Sequence, residues 1–324
     1  MRLISLCAKG LAVALLLMHG IVQAAELKKI QFNMSWLPQG SMAGVIVAAD
    51  KGFYREVGLD VALIRGFGGI RTANELDQGL FEFAYVDPLA AILNRANGGH
   101  VRLIAPINAR LPAGLCFVRE RHRIAAPADL AGLVVGGGQN SPVQALLPIW
   151  LKRNKVDPAQ VKIMRLDPSV VVPSLIEGKI DAAECWKGNS VPLFEQQARE
   201  ANLTIGMISY ADFGFEIHGS GIGASDRTIA SDPDLARRFI QATMRGYAYT
   251  ATNIDEALAL TLKRYPVLEP EVTRAQIVET AQLLGKEFDP DKMERAIDLV
   301  RESGNLAGNV QASDIFTSQF LPQP

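Results

Sequence analysis

Apolar and polar residues alternate along Ile30-Gln31-Phe32-Asn33-Met34-Ser35-Trp36, a period of two that predicts a strand, and Pro38-Gln39-Gly40 turns the chain at its end. The apolar period then lengthens to that of a helix over 43–54. Gly58 leads into a second strand over 59–64, and Gly66, Gly68 and Gly69 precede a helical stretch over 70–78. A third strand over 81–86 runs straight into Asp87-Pro88. The same order returns about 99 residues later, a sign of internal duplication. Leu133-Val134-Val135 leads to Gly136-Gly137-Gly138, Pro142 opens a helix over 142–154, and a strand follows over 161–164. Asp167-Pro168 starts a helix to about Gly178, and the strand over 180–184 ends at Trp186, so that Asp87 and Trp186 fall at matching strand ends. Beyond Gly214 a short strand over 220–224 precedes helices over 233–250, 254–264, 270–284 and 291–303. The first of these is opened by Asp232 as cap and Pro233 as first helical residue.

Strands alternating with helices make parallel βαβ units, and two copies predict an α/β protein of two similar lobes, each a mostly parallel sheet flanked by helices. The helical tail needs a sheet to cover, and the first lobe, poor in helices of its own, is the expected host. Ligands of open α/β sheets sit outside the carboxyl ends of the strands. Two facing lobes therefore enclose a cleft to which strand ends contribute Trp36, Gly68, Gly69, Asp87, Gly138, Gln139, Asn140, Ser141, Glu184 and Trp186.

Composition narrows the class. With 48% hydrophobic residues the chain is far too apolar for disorder, and 33 basic against 34 acidic residues, in no long run, exclude the basic surplus of a nucleic-acid binder. Arg2 and Lys9 precede the apolar run 11–18, and Val22-Gln23-Ala24 has small residues where a leader peptidase reads. Residues 1–24 thus read as a cleaved signal peptide, with Ala25 as mature start and the periplasm as destination. Cys7 leaves with the leader. Cys116 and Cys185 remain, too few for a disulfide framework; they could pair or stay as buried free thiols.

Catalytic and cofactor motifs are missing from the pattern. No CxxC occurs, and His100, His122 and His218 have no metal-ligand spacing. No GxSxG occurs, and Gly136-Gly137-Gly138 lack the Gly-Lys-Ser/Thr ending of a phosphate loop. Gly219-Ser220-Gly221-Ile222-Gly223-Ala224 fits a dinucleotide loop loosely, with no helix following at once. The expectation is a protein with no metal, no cofactor and no turnover.

Trp36-Leu37-Pro38 with Ala43-Gly44, followed by Ala49-Asp50-Lys51-Gly52-Phe53-Tyr54-Arg55-Glu56-Val57-Gly58-Leu59-Asp60-Val61, resembles the opening of one periplasmic binding protein family. Its members serve ABC importers for thiamine-precursor pyrimidines and for nitrate, sulfonates and taurine. Pro127-Ala128-Asp129-Leu130-Ala131-Gly132, Leu175-Ile176-Glu177-Gly178-Lys179-Ile180-Asp181-Ala182 and Asp232-Pro233-Asp234-Leu235 agree as well. The resemblance implies a type II periplasmic binding protein that traps its ligand by hinge closure and delivers it to membrane permease subunits. It implies crossovers over 108–112, which brings Asn108 to the cleft, and over 210–214. The lobes are then 26–109 plus 215–324 and 110–214, in a monomer.

In pyrimidine-binding relatives an early tryptophan and a later one within a Gly/Asn turn contact the ring, and Trp36 and Trp186-Lys187-Gly188-Asn189 are similar. Asp87 or Glu184 could accept hydrogen bonds from an exocyclic amine, which tilts the reading towards a small nitrogen heterocycle. A sulfonate, nitrate or aromatic-acid anion would instead want helix N-terminal N–H groups and hydroxyls, which 137–141 could supply. Relatives that synthesise the pyrimidine carry a cysteine-rich cluster and several histidines, of which only Cys185 has a counterpart here; a periplasmic sensor partner would share every feature. Blander roles stand beside these: Asp87 as the cap of the helix after it, Trp36 as core, Glu184 in an ion pair with Lys187 or an Arg, and Gly136-Gly137-Gly138 as positions of positive φ.

Overall fold

The computed structural model describes residues 26–304 and 310–322; the leader expected over 1–24 lies outside them. In chain order the first unit is β1 (Lys28–Asn33), α1 (Ala43–Asp50), α2 (Phe53–Glu56), β2 (Leu59–Ile64), α3 (Gly69–Asp77), β3 (Phe83–Val86), α4 (Pro88–Ala96) and β4 (Val101–Pro106). The second is β5 (Ala113–Val118), β6 (Val134–Gly138), α5 (Pro142–Arg153), β7 (Lys162–Leu166), α6 (Val171–Ile176), β8 (Ala182–Trp186), α7 (Val191–Glu200) and β9 (Ile205–Ser209). The chain then adds β10 (Gly221–Ser225) and α8 (Asp226–Ser231), α9 (Pro233–Thr252), α10 (Ile254–Arg264), α11 (Pro270–Leu283), α12 (Pro290–Glu302) and α13 (Ala312–Ile315).

These strands form two five-stranded sheets, ordered β2-β1-β3-β10-β4 and β7-β6-β8-β5-β9. In the first, β1 runs parallel to β2 and β3, and β10 runs antiparallel to β3 and β4. In the second, β6 runs parallel to β7 and β8, and β5 runs antiparallel to β8 and β9. The sheets therefore share one topology, and the registers Phe32↔Phe83 and Val135↔Ala182 place β3 and β8 at equivalent positions. The one strand of each sheet that opposes its neighbours is the strand that follows a crossover. This is the two-lobed α/β fold of type II periplasmic binding proteins.

Local departures from the expected elements have local causes. The helix over 43–54 breaks because Gly52 sits at φ 80°, which closes α1 and starts α2. Gly136, Gly137 and Gly138 are paired strand residues of β6, opposite Met164, Arg165 and Leu166, and none has positive φ. What they permit is close approach: a Cβ on Gly136 would meet Ile180 at 2.5 Å. The return connection between β9 and β10 runs over 210–220 and includes the expected 210–214. Tyr210 is held in the second unit, edge-on to Trp150, whose Nε1 donates to the Tyr210 carbonyl at 3.4 Å. The two connections lie side by side: Ile107 and Asn108 N–H donate to the Ser220 carbonyl, and Leu111 N–H donates to that of Ile217.

The tail is shared between the sheets. Helix α9 packs on α1 over the first sheet, where Phe239 stacks on Phe83 with centroids 4.1 Å apart. Helix α12, expected over the first lobe, packs against both α4 and α5, and the Arg153 guanidinium pairs with Glu302 at its end. Its apolar face of Met293, Ala296, Ile297 and Val300 is continuous with the core of both units. Cys116 of β5 and Cys185 of β8 form a disulfide across neighbouring strands, buried beside Phe194 and Ile180.

Candidate ligand cleft

A cavity of about 420 Å³ opens where the carboxyl ends of β1 and β3 face those of β6 and β8. That size suits a small organic molecule. Trp36 enters it from the turn after β1. Ser35 there adopts φ 65°, a conformation that costs a non-glycine residue energy and must be held from outside. The buried Asn33 accepts from Ser35 N–H at 2.8 Å, Gly68 N–H donates to the Ser35 carbonyl, and Gly66 N–H donates to that of Trp36. Gly66 has no room for a side chain, since a Cβ would lie 2.3 Å from the Ser35 carbonyl carbon. Held so, the half-buried indole crosses the cleft: its Cη2 would touch a Cβ on Gly138 at 3.0 Å.

Asp87 follows β3 and does two things. Its Oδ1 accepts from Ala90 N–H at 3.0 Å as the cap of α4, whose first residue is Pro88. Its Oδ2 lies towards Gly69, close enough that a Cβ there would stand 2.7 Å away. Burial raises the carboxyl to about 6, against the opposing pull of the α4 N-terminal N–H groups.

Glu184 is the most constrained group in the cleft. Its Oε1 accepts from Ser141 Oγ at 2.7 Å and from the Trp186 indole Nε1 at 2.6 Å, while Ser141 caps α5 through Gln144 N–H. Its Oε2 is buried and has no hydrogen-bond partner among the described residues. Burial raises this carboxyl to about 7; the Ser141 and Trp186 donors oppose the shift and the Asp87 charge adds to it. Among the described residues Glu184 forms no ion pair, so neither Lys187 nor an Arg takes the role open to them.

Of the expected site residues, Trp36, Gly69, Asp87, Asn108, Gly138, Ser141, Glu184 and Trp186 line the cavity. Asn108 does so from the crossover, accepting from Tyr85 Oη at 2.7 Å. Gly68, Gln139 and Asn140 do not line it. Gln139 is exposed, with its N–H on the Leu166 carbonyl. Asn140 and Gly68 instead join the lobes: Asn140 Nδ2 donates to the Phe67 carbonyl at 3.1 Å, and Ile70 N–H donates to the Asn140 carbonyl at 3.0 Å. Gly68, at φ 113°, touches Asn140 so closely that a Cβ would fall 2.6 Å from the Asn140 Cβ.

Sequence reasoning missed the opposite rim. Gln276 of α11 accepts from Gly40 N–H and donates to the Asn189 carbonyl, and Glu279 accepts from Gly188 N–H, which clasps α11 onto the turn after Trp186. Nothing in a helical pattern marks two polar residues as reaching another lobe. Tyr85 was legible, since alternation along β3 turns it away from the buried Ala84 and Val86. An apolar wall of Val171, Val172, Phe194 and Val272 completes the cavity. Chemically the cleft offers two indoles, an apolar wall and carboxyl acceptors, with Lys187 the one Lys or Arg of the lining. Among the described residues no group of three His, Cys, Asp or Glu side chains is placed to hold a metal ion.

Comparison with known proteins agrees with this geometry. The family model described as NMT1/THI5 like matches residues 39–257, well over half of the chain. Over 312 residues, 91% of this chain and 87% of the other, the sequence is 27% identical to the riboflavin-binding protein RibY of Chloroflexus aurantiacus. It is 21% identical to the formylaminopyrimidine-binding protein of Halalkalibacterium halodurans over 90% of each chain. The periplasmic aliphatic sulphonate binding protein SsuA of Escherichia coli superimposes with a TM-score of 0.70 at 16% identity, covering 88% of this chain and 96% of its own, a likeness of fold.

Proposed function

The chain belongs to the NMT1/THI5-like family, and on that premise we propose that it is the solute-binding component of an ABC importer. It takes a small, flat nitrogen heterocycle bearing hydrogen-bond donors, encloses it between lobes 26–109 plus 215–324 and 110–214, and hands it to permease subunits. The reading further includes export through cleavage after Ala24, a monomeric periplasmic form, and no turnover, Cys185 being held in its disulfide.

One observation supports this reading above others: the cleft brings two indoles and a buried, raised carboxyl, that of Asp87, to one cavity. Indoles suit a flat ring, and a carboxyl accepts from ring or exocyclic N–H. RibY and the formylaminopyrimidine-binding protein are named for ligands of this class. The rival reading is an anion such as a sulfonate, nitrate or aromatic acid. It is favoured by the N-termini of α4 and α5, which both open into the cleft. Asp87 already occupies the first of these ends, which weighs against a second negative charge there.

The test is a thermal-shift screen of ligand-free mature protein against riboflavin, 4-aminopyrimidines, sulfonates, nitrate and aromatic acids. A ligand at a hundred times its Kd stabilises the fold by about 2.7 kcal/mol. Stabilisation by the anions alone replaces the heterocycle reading with the rival one.

A further inference from the structure

We infer that Glu184 serves the ligand-ready cleft as a neutral carboxylic acid, its proton on Oε2 donated to Gln144 Oε1, so that it positions Trp186 and Ser141 and leaves Asp87 to read the ligand. This deepens the heterocycle reading and rests on it for the role given to Asp87.

The geometry is a meeting of two acceptors. Glu184 Oε2 and Gln144 Oε1 are both buried without a partner among the described residues. Both point at one place, the position a Cβ on Gly137 would take, at 2.9 Å and 2.4 Å. Two lone-pair oxygens sealed together are costly, and a single proton turns one of them into a donor. Turning the Gln144 amide over has its own cost. Its Nε2 donates to the Met164 carbonyl at 3.4 Å, and the turned amide would set oxygen against that carbonyl.

The surroundings favour the neutral form. Asp87 faces Glu184 from the other lobe, and Tyr210 lies beyond it within electrostatic range. Ser141 and Gln144 of α5 are uncharged, and Lys187, the first residue after β8, is exposed. Strands β5 and β6 and helix α6 bring no titrating side chain, the two cysteines being joined. The carboxyl stands at about 7, raised by burial. Once protonated, it keeps Oε1 as the acceptor that fixes the indole plane and the Ser141 hydroxyl. The ligand then meets an oriented ring and no second negative charge.

Infrared difference spectroscopy of the ligand-free protein tests this without any ligand. At about pH 6 wild type should show protonated-carboxyl C=O bands from both Glu184 and Asp87; the Glu184 band is the one absent in Glu184→Gln, retained in Asp87→Asn, and lost at about pH 8, either side of that carboxyl's value of about 7. Gln144→Met, which removes the acceptor, should shift that band to the frequency of a free acid. Absence of the band from wild type at about pH 6, or a band indifferent to Gln144→Met, overturns the inference. Calorimetry with riboflavin adds the functional arm: Glu184→Gln, which mimics the protonated acid, should lose the fall in affinity that wild type shows between about pH 6 and about pH 8. A fall in affinity over that pH range that persists in Glu184→Gln also overturns it. Failure of riboflavin to bind wild type counts against the heterocycle reading and leaves the infrared result to decide this one.

Discussion

Removing the Trp186 ring is the most direct perturbation of the cleft, and its effect divides into two parts. The half-buried indole lines the cavity and packs against the main core, and its Nε1 donates to Glu184 Oε1 at 2.6 Å. Loss of an aromatic stack on a heterocycle costs about 1–3 kcal/mol by analogy with nucleic-acid bases, or about ten- to a hundredfold in Kd. Loss of the Nε1 donor costs about 1 kcal/mol. That second cost falls on free and bound protein alike, so it lowers stability and largely cancels from binding. Trp186→Ala should therefore bind riboflavin or a 4-aminopyrimidine about ten- to a hundredfold more weakly. Trp186→Phe, which keeps a face and loses the donor, should lie between it and wild type. Titration calorimetry measures both, and circular dichroism confirms the fold. An unchanged Kd for Trp186→Ala would remove the ring from the site. Equal losses in the two variants would mean that the donor, and not the face, holds the ligand.

Asp87→Asn keeps a good helix cap for α4 and removes the charge, so it should fold normally and weaken a donor-bearing heterocycle by about ten- to a hundredfold in calorimetry, a charged hydrogen bond being worth about 1.5–3 kcal/mol. Reducing the Cys116–Cys185 disulfide, which closes 69 residues, should lower unfolding stability by about 4 kcal/mol in urea titrations with and without reductant, and identical midpoints would reject the bond. Asp87 and Glu184 titrate at about 6 and about 7 in the fold, against ordinary values of 3.8 and 4.5, so the native state holds protons that the unfolded chain has released. Their contribution to stability is therefore full below about pH 4 and is lost as the pH rises through about 6 and 7, on the order of 3 kcal/mol for Asp87. Melting temperature should fall over that window in wild type and fall less in Glu184→Gln.

Much of the fold was legible because the two units are half-buried βαβ repeats whose strands alternate or end at turns. Three strands escaped the reading: β9, although its burial alternates, and β4 and β5, which have almost no exposed face. Every residue of β5, Ala113–Val118, is buried, and β4 is nearly so, which erases the alternation that reveals a strand. Gly136-Gly137-Gly138 read as a loop because glycine weakens a strand, yet Ile180, Glu184 and Trp36 crowd that edge too closely for side chains. The shared helix α12 was unreadable in another way: its apolar stripe is ordinary, and only assembly shows that it faces two helices from different units. The disulfide needed the β5–β8 register, which spacing alone does not supply.

The cleft was legible as a set of strand ends, and its wiring was not. Duplication makes Asp87 the counterpart of Trp186 and Tyr85 the counterpart of Glu184, and the pairings Ile222↔Tyr85 and Leu115↔Glu184 put the latter two at matching places in their sheets. Each lobe thus presents one outward group at the strand end and one behind it, with the chemistry exchanged. The first lobe sets a carboxyl forward and a phenol behind, the phenol donating to Asn108 at the crossover. The second sets an indole forward and a carboxyl behind, the carboxyl accepting from that indole and from Ser141, 43 residues away. A strand pattern places all four residues and says nothing of which oxygen is taken. The hydrogen-bond pattern separates Asp87, whose Oδ1 caps α4 and whose Oδ2 lies towards Gly69, from Glu184, whose Oε1 takes two donors and whose Oε2 is buried without a partner among the described residues. On that difference rest the proposed roles, one acid to read the ligand and the other to support the ring.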